Sequence, residues 1–380
     1  MAERPTLREL VAELVAIDSV NPDLVPGGAG ELEIARFIGA WLEAARVEVR
    51  IDEIAPGRAN VIGVARGRGG GRSLLLNGHT DTVGHDGYAR PLEPRVEGDR
   101  LYGRGSFDMK GGTAAALWAC AQAARLELDG DVTVVAVCDE EFASIGTQAV
   151  AEQLWADAAI VTEPTALEVT VAHKGFAWLE IDVAGHAAHG SQPQLGIDAI
   201  AKSGRVLTGI EDLGRRLAAG DAHPLLGTGS LHASLIAGGQ ELSSYPERCL
   251  IQLERRTVPG EGAGLVEEQV RELVAAAAHA DPDLRAEVRT TLVRPPFEIA
   301  ADAEIVRLVC GHAERVIGHA PRVGGWAAWM DSAILDQVGI PTVIFGPAGD
   351  GAHEVEEWVD LASVERCAEV LVAVAAEFCA

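Results

Sequence analysis

The residues able to do chemistry fall at five places, each at or beside the end of a strand-like run. Leu74-Leu-Leu-Asn-Gly-His79-Thr-Asp81-Thr-Val83 ends an apolar segment in an imidazole and a carboxylate two residues apart. Tyr102-Gly-Arg-Gly-Ser-Phe-Asp108-Met-Lys-Gly-Gly112 presents Asp108 from a glycine-rich loop, and Cys138-Asp139-Glu140-Glu141 sets three acids in a row. Thr162-Glu163-Pro164 and Gly349-Asp-Gly-Ala-His353-Glu-Val-Glu add a further carboxylate and a second imidazole. Taken singly, each has a plain reading: His-x-Asp is ordinary loop chemistry, Asp108 an N-cap for the helix that follows, and an acidic run a solvated loop. Taken together, two imidazoles and several carboxylates converging from separate loops make a poor structural zinc site, which is a closed set of four Cys or His ligands. They fit a carboxylate-rich binuclear site. One shared carboxylate can hold two divalent ions about 3.5 to 4 Å apart with water between them. Two adjacent glutamates can divide roles, one as ligand and one as base, because neighbouring side chains leave a turn in different directions.

The elements that must hold these groups follow from periodicity. The spacing predicts helices over 6–17 and 31–45 and strands over 47–51, 60–65 and 73–77. A helix over 109–126, a strand over 132–138, a helix over 145–155 and a strand over 158–162 come next. This is βαβ wiring and implies a largely parallel sheet, whose crevice lies beyond the carboxyl ends of its strands. From about Val171 the pattern changes to strand 175–183, helix 197–217, strands 229–237 and 249–255, helix 265–278 and strand 285–293. That βαββαβ order makes a small α+β sandwich. Arg294-Pro-Pro-Phe is the expected return linker, followed by helices over 303–316 and 331–338, a strand over 342–345 and a closing helix over 361–378. Residues 1–172 with 294–380 are thus expected to form the domain bearing the five places, and 173–293 an inserted domain.

With 380 residues, 48% of them hydrophobic, the chain can build two packed cores. Its 31 Lys and Arg against 57 Asp and Glu, a net charge of −26, argue against nucleic acid and anionic membranes as partners. It has no uninterrupted apolar run of about eighteen residues, and its first residues are polar and amphipathic, so a cytoplasmic location is expected. Cys120, Cys138, Cys249, Cys310, Cys367 and Cys379 are scattered with no Cys-x-x-Cys pair and read as reduced core residues, not zinc ligands.

His79-Thr-Asp81, Gly103-Arg-Gly-Ser-Phe-Asp108-Met-Lys-Gly-Gly, Asp139-Glu-Glu141 and Thr162-Glu-Pro164 resemble the motifs of the M20 metallopeptidase family, and the likeness extends over nearly the whole chain. This is the group of acetylornithine deacetylase, succinyl-diaminopimelate desuccinylase, carboxypeptidase G2 and aminoacylase-1. The resemblance implies an α/β zinc-peptidase-like catalytic domain with a mostly parallel central sheet, plus an inserted ferredoxin-like lid and dimerisation domain. It implies two divalent ions, zinc foremost and cobalt or manganese as alternatives, bridged by Asp108. His79 and Glu163 would hold one, and Glu141 and His353 the other. Glu140 would be the general base, and Asp81 would orient His79 through a hydrogen bond.

In the inserted domain, Gly185-His186-Ala-Ala-His189-Gly-Ser-Gln-Pro193 resembles the family's lid motif. By that likeness His189 reaches a metal site, in many dimeric members the partner's, and hydrogen-bonds the oxyanion; His186 is read as a rim residue. Glu254-Arg-Arg256-Thr-Val-Pro resembles the segment whose arginine binds the substrate carboxylate, which selects Arg256 and leaves Arg255 to the surface or an ion pair. Ser243-Ser-Tyr-Pro246 carries Ser243 where many members have Asn, so by the resemblance a shorter hydroxyl there would hold the substrate or oxyanion, and Met330-Asp331 replaces their Thr-Asp. Trp326 and Trp329 beside it either make the pocket more apolar or belong to the core. The expected activity is hydrolysis of an N-acyl amino acid by a homodimer. A dipeptidase or carboxypeptidase would share every catalytic residue, and a non-catalytic metal-binding scaffold is disfavoured by the presence of both base and ligands.

Overall fold

Thr6 starts the first helix with a reciprocal cap: the Glu9 N–H donates to its hydroxyl at 3.3 Å, and its own N–H donates to the Glu9 carboxylate at 2.6 Å. The structure, a computed structural model, describes residues 5–380, so the four residues before Pro5 lie outside it. After α1 (Leu7–Val15) come α2 (Leu32–Ala44), β1 (Glu48–Ala55), β2 (Arg58–Ala65), β3 (Leu74–His79), β4 (Arg95–Glu97) and β5 (Arg100–Tyr102). Next are α3 (Gly111–Ala123), β6 (Val132–Val137), α4 (Ile145–Gln153), β7 (Ala158–Val161) and β8 (Val169–His173). β9 (Gly175–Ala184), α5 (Ala199–Ala218), β10 (Ser230–Gly238), β11 (Arg248–Thr257), α6 (Ala263–Ala280) and β12 (Arg285–Arg294) follow. The chain closes with β13 (Phe297–Glu298), α7 (Glu304–Ile317), β14 (Val323–Trp326), α8 (Ser332–Gln337), β15 (Thr342–Ile344), β16 (Gly349–Asp350), β17 (Trp358–Asp360) and α9 (Leu361–Phe378). Two compact units result. One runs to Val171 and takes up Ile299–Gly324 and Met330–Ala380; the other comprises Ala172–Glu298 and Gly325–Trp329.

In the first unit the main sheet runs β1-β2-β6-β3-β7-β15-β8. The parallel arrangement expected from βαβ wiring is confined to its centre, where β6, β3, β7 and β15 run together. β1 and β2 are joined by only Pro56-Gly57, a link short enough for a hairpin alone, so that margin is antiparallel, as is β8 at the other. β3 and β7 are buried along their whole length, which is why they read as unbroken apolar runs. Their register sets the site. His79 lies opposite Val137, and Asn77 and Ile344 both lie opposite Val161, so the residues following β3, β6, β7 and β15 leave the sheet at one edge. α3 packs so closely there that a Cβ on Gly112 would stand 1.9 Å from the Thr162 carbonyl oxygen. A second sheet, β16-β17-β5-β4, sets Trp358 opposite Tyr102 and ties the chain after His353 to the chain before Asp108.

The second unit has the expected βαββαβ order, with an antiparallel sheet β10-β11-β9-β12. Val206, Ile210 and Leu213 of α5 and Val266 and Val270 of α6 pack with Ile181, Ile251 and Leu253 of the sheet. β10 forms an edge and exposes Leu235 and Ile236. Among the described residues, no helix is long and apolar enough to cross a membrane.

Candidate metal centre

His79 is the last residue of β3 and is fully buried. Its Nδ1 lies 3.0 Å from the Asp81 carbonyl oxygen, which can only accept, so Nδ1 keeps a proton and Nε2 is the nitrogen open to a cation once its own proton is displaced. Nε2 faces Asp108 Oδ1 at 3.2 Å and Glu163 Oε1 at 3.8 Å. The other Asp108 oxygen, Oδ2, lies 3.4 Å from His353 Nε2, which is 3.1 Å from Glu141 Oε2. Two sets that could each hold a metal ion therefore exist, His79–Asp108–Glu163 and Asp108–Glu141–His353, with ligand atoms within 4.8 Å of one another. Asp108 belongs to both and offers one oxygen to each.

Asp108 is not an N-cap. It lies in a π-type turn, Ser106–Lys110, with an extended backbone (φ −113°, ψ 95°), three residues before α3. Asp81 reaches beyond His79: its carboxylate is 3.4 Å from Nδ1, while its two oxygens accept the main-chain N–H groups of Glu140 and Glu141, each at 3.1 Å. Asn21 Nδ2 donates to Asp81 at 2.8 Å and to Asp139 at 3.0 Å, and Asp139 also accepts from Arg58 at 2.8 Å. Arg58 is buried and forked onto Glu31 at 2.6 and 2.7 Å. Glu31, Asn21 and Arg58 carry no local motif that marks them in the sequence. Glu357, missed among the acids that follow His353, accepts the Asp108 N–H at 3.0 Å.

Crowding sets the electrostatics. Burial lifts the carboxyl pKa of Glu140 and Glu163 well above the usual range, the Glu163 charge adding to the first and the Asp108 charge to the second, and Glu141 rises by burial and the Asp108 charge. The bonds to Asp108 and Glu141 hold His353 up to about 10. Burial alone would depress His79, yet its bonds to Asp108 and Asp81 prevail and raise it. Asp331, buried and bonded to the Thr147 hydroxyl at 2.5 Å, is pushed up to about 6 by burial. The donor set suits divalent cations: desolvated carboxylates face two imidazoles, and the buried Glu141 Oε1 has no hydrogen-bond partner.

His189, Arg256 and Ser243 lie in the second unit. The exposed His189 accepts the Ser191 N–H at Nδ1 (3.2 Å), which leaves the proton on Nε2. The Ser243 carbonyl accepts the Gly190 N–H at 2.7 Å, and its hydroxyl donates to Glu241 at 3.2 Å. Arg256 is already paired, with Nε 2.7 Å from Glu254 Oε1, and stacks over Phe176. Arg255 falls on the inward side of the β11 alternation with Ile251 and Leu253 and is buried against Glu261. Exposed His186 pairs through its main chain with Ile197. Trp326 is exposed, whereas Trp329 is buried, packs edge-on to His173 and Phe176 and donates to the Pro295 carbonyl at 3.0 Å.

A mixed α/β sheet with a carboxylate shared between two imidazole–carboxylate sets at its carboxyl edge defines a metallohydrolase class. The chain belongs to peptidase family M20/M25/M40, whose pattern matches residues 75–377. It is 30% identical over 389 residues to acetylornithine deacetylase of Myxococcus xanthus, covering 99% of this chain and 98% of that one. Aminopeptidase PepT from Bacillus cereus shares the fold, with a TM-score of 0.80 and 20% identity over 99% of each chain. So does a dinuclear metal-binding M20 peptidase from Bacillus subtilis, with a TM-score of 0.74 and 18% identity over 98% of each chain. The protein is thus a hydrolase of amide or peptide bonds, the class that its motifs implied.

Proposed function

We propose that the protein is a di-metal amidohydrolase that removes the acyl group from an N-acyl amino acid. The carrying observation is the placement of Asp108 between two ligand sets, with Glu140 next to the ligand Glu141 on one clamped turn. In this reading Asp108 serves both ions, His79 and Glu163 one, and Glu141 and His353 the other. Bound there, divalent ions, zinc before cobalt or manganese, would supply Lewis acidity to the scissile carbonyl and make water easier to deprotonate. Glu140 takes the proton from the attacking water and returns it to the leaving nitrogen. Asp81 keeps that turn and the His79 tautomer in place.

The Nε2–H of His189 is the donor assigned to the oxyanion, with the Ser243 carbonyl steadying its loop. Arg256 is assigned to the substrate carboxylate, which it would share with Glu254. The exposed apolar edge of β10 supports a homodimer built through the second unit, and six unpaired thiols suit the cytoplasm. The acyl-amino-acid assignment leans on the deacetylase relative. Glu140→Gln should lower turnover by about 10²–10⁴-fold with metal content unchanged, and undiminished turnover would overturn the mechanism. Screening N-acetyl, N-succinyl and longer N-acyl amino acids against dipeptides tests the substrate class. Preference for dipeptides would replace deacylation with exopeptidase activity.

A further inference from the structure

Glu357 is buried, at 1% exposure, and its carboxylate is turned to main chain. Oε1 accepts the N–H groups of Phe107 at 2.8 Å and Asp108 at 3.0 Å. Oε2 accepts the Gly105 N–H and the Arg104 guanidinium, both at 2.8 Å. Four donors from the five residues 104–108 thus converge on two oxygens. This loop turns through Gly105 at φ +74° and points its N–H groups inward, where a buried donor needs a partner. Only a carboxylate can take all four; glutamine would accept on one oxygen and set its own N–H₂ against the remaining donors.

The neighbouring main chain runs the same way. The Gly103 N–H donates to the Glu357 carbonyl at 3.1 Å, and Trp358 pairs with Tyr102. Four residues before Glu357 stands His353, whose Nε2 is 3.4 Å from Asp108 Oδ2. A single short segment therefore delivers one imidazole and grips the loop that carries the shared carboxylate.

We infer that Glu357 is a positioning residue for the metal centre, fixing Asp108 against His353 so that uptake of both ions depends on a carboxylate that touches neither. The inference rests on Asp108 being the shared ligand. Residues that orient ligands are worth about 10–100-fold in metal affinity, and at a shared ligand the loss falls on both ions.

The test titrates the chelator-stripped full-length protein with Zn²⁺ against a competing chelator, at a temperature where circular dichroism shows each variant folded. E357Q should bind both ions about 10–100-fold more weakly. E357D, charged but one methylene short, should fall between E357Q and the wild type. Glu356→Gln, at an exposed neighbour, should bind as wild type. Wild-type affinity in E357Q, even with a lowered Tm, would overturn the role while an Asp108→Asn variant that takes up no ion leaves the centre standing. Full uptake by Asp108→Asn would overturn the centre and the inference with it. Should E357Q fail to fold, E357D decides alone: weakened affinity supports the role, and wild-type affinity overturns it.

Discussion

Asp81 holds Glu141 by its main chain: the Glu141 N–H donates to Asp81 Oδ2 at 3.1 Å, and the Glu140 N–H donates to Oδ1 at the same distance. A residue expected only to orient His79 thus also sets the turn on which the proposed base and a proposed ligand sit. Asp81→Asn offers an N–H₂ where one of those donors needs an acceptor. We predict a kcat lowered about 10–100-fold with KM little changed, read by steady-state kinetics beside metal analysis. An unchanged kcat would show that the turn stands without its clamp.

The two oxygens of Asp108 face different imidazoles, so ligand removal should be unequal. His353→Ala is expected to keep one ion per chain after dialysis, and Asp108→Ala none, by elemental analysis. Two ions retained by His353→Ala would break the assignment of ligands.

Metal uptake should strengthen with pH. Without metal, His353 is held up to about 10 by Asp108 and Glu141, and burial raises Glu140, Glu141 and Glu163. His353 therefore carries a proton near neutrality that a cation must displace, so affinity should climb from about pH 6 to about pH 8. Calorimetry in two buffers of different ionisation enthalpy measures the protons released. An affinity flat across that range would contradict the protonation scheme.

Arg58 sits among Asp23, Glu31 and Asp139, with Glu31 and Asp139 buried. Arg58→Ala leaves those two carboxylates in the interior without their cation, and should cost about 3–5 kcal/mol in urea unfolding. Arg58→Lys, charged but lacking the planar fork, should recover part of that loss.

Much of this architecture was legible in the sequence because buried parallel strands leave unbroken apolar runs, and whatever follows them lies at the sheet's reactive edge. His79, Glu141, Glu163 and His353, which the structure brings together around Asp108, stand at or beyond the ends of such runs, and Asp108 stands in a glycine-rich loop. The supports were not legible. Glu357 meets Gly105 across 252 positions of chain, and Asn21 meets Asp139 across 118. Their partners are main-chain N–H groups or distant acids, which leave no local spacing to read. β4, β5, β16 and β17, with three residues or fewer, are too short for a period of two to register. The antiparallel margins of the sheet were hidden likewise, since alternation of strand and helix describes only its centre.

His353 holds its imidazole on a left-handed backbone, φ +64°, a conformation that glycine adopts freely and histidine adopts at a cost of about 1–3 kcal/mol. An engineer selecting variants for heat resistance alone would therefore be drawn to glycine at this position. The catalyst would then be lost under the guise of an improved Tm, so any such library should leave codon 353 untouched.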